Sequence, residues 1–99
     1  MPRQFDVYAP PAGPLVVIVQ SDILDQMPTR VAIPLLDLSQ QKIAFSSLTP
    51  QLVINGEPRI LVPQLIATFT IVELGVFVTD VSEDRDTIIR AMDALIGGI

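Results

Sequence analysis

The chain has 99 residues, enough for one small domain, and 49% of them are hydrophobic, more apolar side chain than so small an object hides easily, which favours a homo-oligomer. It contains no Cys and no His, which excludes the usual zinc sites, His-based catalytic triads, thiol nucleophiles and disulfide frameworks, and no cofactor is expected. Six basic residues against eleven acidic ones give a net charge of -5, and the cations are scattered, so direct nucleic-acid binding is not expected and a protein partner is.

The opening "MPRQFDVYAPPAG" has no apolar run of signal-peptide length, so a cytoplasmic protein is expected. "FDVY" at 5–8 alternates as a short strand, and "APPAGP" breaks it. "LVVIVQS", rich in β-branched residues, predicts a central strand buried on both faces. "RVAIPL" at 30–35 is a third strand, with Pro34 marking an edge or an end. In "QLVINGEPRILV", Asn55 and Gly56 tolerate positive φ and predict a hairpin. "IATFTIVELGVFVTDV" supplies further strand, with Gly75 either turning the chain or placing a bulge. Pro63, Gln64, Glu73 and Gly75 interrupt Leu61 to Val78, so no membrane span is expected there.

The last element is a helix, predicted over 83–96. Ser82 suits the N-cap, and Glu83, Asp84 and Asp86 place negative charge at the positive end of the helix dipole. Ile88, Ile89, Met92, Leu95 and Ile96 recur at helical spacing as one apolar stripe. Gly97 is a natural stop. The residues alone therefore describe one domain, 1–99, mainly β with one C-terminal helix.

"VQSDILDQMPTRVAIPL", Val19 to Leu35, resembles a segment of the CcdB family of toxins, whose pattern there runs V-Q-S-D-I, a hydrophobic residue, D, a turn, Arg and I-P-L. "QFDVY" resembles the family's start, and "TDVSEDRDTIIRAM" with the final "GI" resembles its terminal helix and last two residues. The resemblance implies an SH3-like antiparallel barrel with a small extra sheet, the CcdB/MazF-like fold, and a homodimer. It also implies a toxin that inserts its C-terminal tip into the A subunit of DNA gyrase, traps the cleaved-DNA complex and is neutralised by a CcdA-like antitoxin. No reaction is catalysed on this reading.

The family's closing Trp-Gly-Ile falls on Gly97, Gly98 and Ile99, which become the expected gyrase-binding residues, with Gly97 in place of the Trp. A Trp there would bury about 150–250 Å² against a partner, which glycine cannot. An alternative is therefore a non-toxic homologue that only dimerises and binds antitoxin. Ile23, Leu24, Leu95 and Ile96 match the expected antitoxin-binding positions, with strand-end packing the alternative for the first two and core burial the main expectation for the last two. Asp22 and Asp25 are expected to be turn-forming carboxylates, and Lys42 a surface charge. The enzymatic alternative is an endoribonuclease toxin of the same fold, against which the scattered cations and absent His argue.

Overall fold

A run of β-branched residues can be apolar at every position only if both faces of its strand are covered. The computed structural model describes residues 1–38 and 48–97; Lys42, and Gly98 and Ile99 of the expected tip, lie outside the described residues. Strands β1 (Asp6–Ala9), β2 (Leu15–Ile18), β3 (Thr29–Asp37), β4 (Gln51–Ile54), β5 (Glu57–Leu61), β6 (Ala67–Thr70) and β7 (Val76–Asp80) precede helix α1 (Arg85–Gly97). They pair antiparallel in the order β4-β5-β3-β2-β1-β7, with β6 added against β3. This is a mainly β, curled half-barrel followed by a C-terminal helix, as expected.

β2 lies inside the sheet, between β1 and β3. Val17 enters the larger core with Val7, Ile33, Leu35, Leu61 and Ile88. Val16 and Ile18 point the other way, onto Ala32 and Leu74. Successive side chains leave a strand on opposite faces, so the "LVVI" run is apolar throughout because both sides are filled. Each such side chain contributes about 1.5–3 kcal/mol by leaving water.

β3 corrects one expectation. Pro34 marks neither an edge nor an end, because β3 runs on to Asp37 and pairs with β2, β5 and β6. Residues 29–32 face β6 and 35–37 face β5, so Pro34 falls in the gap between the two neighbours. Its carbonyl faces that gap and accepts from the Val62 N–H at 3.1 Å. A missing N–H on the same side costs no ladder bond there.

Asn55 (φ +50°) and Gly56 (φ +83°) join β4 and β5 as the hairpin the sequence predicts. Gly75 (φ +77°) turns the chain after a 3-10 turn, Val72–Leu74, and so separates β6 from β7. The register irregularity lies elsewhere, between Val7 and Tyr8 where β1 meets β7. Phe5 also has positive φ, +70°, which is why β1 starts at Asp6 rather than at Phe5. It is held there by its buried ring, by its N–H donating to the Ile18 carbonyl at 2.7 Å and by its carbonyl accepting from Val81 at 2.9 Å.

The helix boundary differs from expectation at both ends. Ser82–Asp84 form a 3-10 turn before α1, and Gly97 is the last helical residue instead of the stop beyond it. Val81 stands at the cap position without a side-chain cap bond, and just before it the Asp80 Oδ1 accepts from the Ser82 N–H at 2.6 Å. Ser82 is the donor in this arrangement. No helix among the described residues is long and apolar enough to cross a membrane.

Candidate interaction surface

Residues 21–28, between β2 and β3, are all exposed. Within them Asp22–Leu24 form a 3-10 turn, with the Ser21 hydroxyl accepting from the Ile23 N–H at 3.2 Å. Ile23 is 89% exposed, and Leu24 and Met27 stand out beside it. Strand-end packing is thus excluded for Ile23 and Leu24: the turn presents them to solvent. Three large apolar side chains on one short turn make a sizeable exposed patch for a small domain.

Two polar side chains hold this turn from beneath. Gln20 is buried; its Nε2 donates to the carbonyls of Leu24 and Thr29, both at 3.2 Å, and its Oε1 accepts from the Val31 N–H at 3.0 Å. Arg30 is 2% exposed and donates to four carbonyls, those of Asp25 (3.0 Å), Met27 (2.7 Å), Thr29 (2.9 Å) and Pro2 (3.1 Å). Sequence reasoning missed both residues. Arg30 counted as one of the scattered cations, although Gln20 and Arg30 both belong to the "VQSDILDQMPTRVAIPL" pattern and flank the turn they hold.

The Asp22 carboxylate is structural, and Asp25 enters the turn through its backbone. Asp22 accepts from the Gln4 N–H at 2.8 Å and lies 3.9 Å from Arg3, and Asp25 closes the 3-10 turn through its N–H to the Asp22 carbonyl at 3.1 Å. Asp6 accepts from the Arg3 N–H at 2.9 Å. Burial is the main reason its carboxyl is held above the ordinary range, with Asp80 and Asp22 adding repulsion. Asp80 is held below its ordinary value, chiefly by the bond from the Ser82 backbone and then by one from its side chain. Among the described residues no His/Cys/Asp/Glu group could hold a metal ion.

At the other end of the chain the apolar stripe of α1 divides. Ile88 and Ala91 are buried, and Ile89 and Met92 pack against the core. Leu95 is 36% and Ile96 78% exposed. Core burial is therefore not their role: the stripe outruns the sheet that covers its first half. Gly97, the part of the expected tip that is described, follows directly and is exposed.

A second apolar area lies around Pro10, Pro11, Ala12, Phe69 and Val72, which line a groove with Glu73 at its rim. Thr70 and Glu73 cap each other there: Glu73 Oε1 accepts from the Thr70 N–H at 2.7 Å, and the Glu73 N–H donates to Thr70 Oγ1 at 3.2 Å. This is the reciprocal capping box, and the bond from the Thr70 backbone is the main reason the Glu73 carboxyl titrates below its usual value.

The family model described as CcdB protein matches residues 4–98, nearly the whole chain. The chain belongs to the CcdB family. No curated protein matches it. Among solved structures it is similar to an endoribonuclease in complex with its cognate antitoxin from a mycobacterial species, at 16% identity and a TM-score of 0.82, over 98% of this chain and 96% of that one. It is also similar to an endoribonuclease from a mycobacterial species, at 16% identity and a TM-score of 0.77, over 97% of this chain and 91% of that one. At that identity the likeness is one of fold, and it places a CcdB-family chain on the architecture shared with those proteins.

Proposed function

We propose that this CcdB-family chain is a gyrase-directed toxin of a toxin-antitoxin pair. It binds the A subunit of DNA gyrase through Gly97, Gly98 and Ile99, traps the cleaved-DNA complex and catalyses no reaction itself. The observation that carries the reading is Ile96, 78% exposed one residue before Gly97, in a chain that the family model matches to residue 98. A helix end that keeps a large apolar side chain in water is suited to meeting another protein.

On this reading the antitoxin covers Ile23, Leu24, Leu95 and Ile96, the exposed apolar side chains of the turn and of the last helical turn. The likeness to a chain solved with its cognate antitoxin supports a partner of that kind. The protein works as a cytoplasmic homodimer, which covers part of the apolar surface that one copy leaves open. Incubation with purified gyrase and supercoiled DNA tests the reading. Accumulation of cleaved DNA supports it, and unchanged supercoiling at saturating toxin contradicts it.

Gly97 favours a second reading, a homologue without toxicity that still dimerises and binds antitoxin, because the tip lacks an aromatic anchor. Growth arrest on expression separates it from the first. The fold likeness to two endoribonucleases favours a third, RNA cleavage, which incubation of the chain with messenger RNA tests directly.

A further inference from the structure

Residues 21–28 are exposed throughout, and none of the residues of the 3-10 turn within them is buried. Ile23 at its apex is 89% exposed and Leu24 and Met27 are each half exposed, so apolar burial does little to hold this segment down. What fixes its path is polar: the Gln20 amide on Leu24, Thr29 and Val31, and the Arg30 guanidinium on Asp25, Met27 and Thr29.

A buried guanidinium is an expensive way to fill space, since its charge has left water. A leucine or methionine of similar volume would avoid that cost. Neither could hold several carbonyls of one loop in fixed relative positions, which a planar fork with five N–H donors does. Arg30 uses three of its bonds in this way, and a fourth, from Nε to Pro2, ties the same fork to the segment before β1.

We propose that Arg30, assisted by Gln20, is a positioning residue for partner recognition: it holds the backbone of residues 21–28 in the one shape that presents Ile23, Leu24 and Met27 together. This rests on the reading of that turn as an antitoxin-binding surface. A turn held in its bound shape before the partner arrives needs no ordering at the encounter. If loosening the fork leaves about one molecule in ten with the competent shape, the apparent Kd rises about tenfold, because it scales inversely with that fraction.

The test uses the full chain, its Arg30→Met and Arg30→Lys variants, and the purified full-length antitoxin of its own module. Two quantities are read on the folded protein: Kd, and amide hydrogen exchange at Leu24, Asp25 and Met27, whose N–H bonds close the turn. The expected result is exchange at these amides faster by about tenfold or more, unchanged exchange at Val17 and Ile33 in the core, and a Kd weaker by about tenfold in both variants. A purely structural role would lower thermal stability and leave the Kd of folded molecules alone, and that outcome overturns the proposal. Should Arg30→Met fail to fold, Gln20→Ala, which removes the other clamp, carries the same expectation and the same refutation. Ile23→Asp, measured alongside, separates the two ideas. Lost binding there with normal Kd in the Arg30 variants overturns positioning alone, whereas intact binding in Ile23→Asp overturns the recognition reading and the proposal with it.

Discussion

Gly75 lies so close to Ala9 that a β-carbon on it would run into the Ala9 carbonyl oxygen, and its φ of +77° already favours glycine. The contact brings the start of β7 against the end of β1 and seats the Val72–Leu74 turn beside the Pro10–Ala12 loop. Gly75→Ala is expected to destabilise the fold by about 2 kcal/mol or more, since backbone has to move and a non-glycine residue is strained at that φ. Urea denaturation of the purified variant checks this.

Asp80 and Asp6 have opposite effects on stability as pH changes. The carboxyl of Asp80 is held below its ordinary value by the Ser82 bonds, so its contribution is present above the unfolded pKa and disappears as pH falls through the lowered folded one. That of Asp6 is raised, mainly by burial. Its contribution is complete below the unfolded pKa and disappears as pH rises through the raised folded one. Melting temperatures between about pH 3 and 7 should therefore show a shallower acid-side loss for Asp80→Asn and a shallower decline on the rising side for Asp6→Asn. Parallel curves for both variants and the parent chain would refute the assignment.

Exposed apolar side chains on the turn and the helix end should matter for binding and hardly at all for folding. Ile23→Asp and Ile96→Asp are each expected to change stability by no more than about 0.5 kcal/mol. Each should weaken antitoxin binding by about tenfold or more, which is ~1.4 kcal/mol. Val53→Asp is the control, since Val53 is also an exposed apolar side chain, 60% in solvent, on the β4-β5 hairpin. Calorimetric titration of the three variants decides, with the hairpin variant expected to bind as the parent chain does.

Much of the framework could be read from local signals. Asn55-Gly56 between two apolar runs demands positive φ at both positions, and the structure has it at both. Asn55→Ala should accordingly cost about 1 kcal/mol in a thermal melt. The "LVVI" run gave an interior strand for an equally local reason. Pro34 was misleading because whether a missing N–H matters depends on what lies beside it, and the gap between β5 and β6 is set by residues some thirty positions further along the chain. The stripe on α1 was misleading in a similar way: periodicity shows which residues share a face but not where the covering sheet ends, and Ile96 lies past that end. Arg30 was least legible, since burial of a cation among the carbonyls of Asp25, Met27 and the distant Pro2 is a product of the closed fold.

On the proposed reading the carboxyl end of this chain is an apolar probe for another protein. Titration of the DNA gyrase A subunit against the immobilised full chain, and against a chain lacking Gly97 to Ile99, tests it most directly. The expected result is saturable binding to the full chain and binding weaker by about 100-fold, ~2.7 kcal/mol, to the trimmed one. Equal binding by the two chains, or none by the full chain, would contradict it.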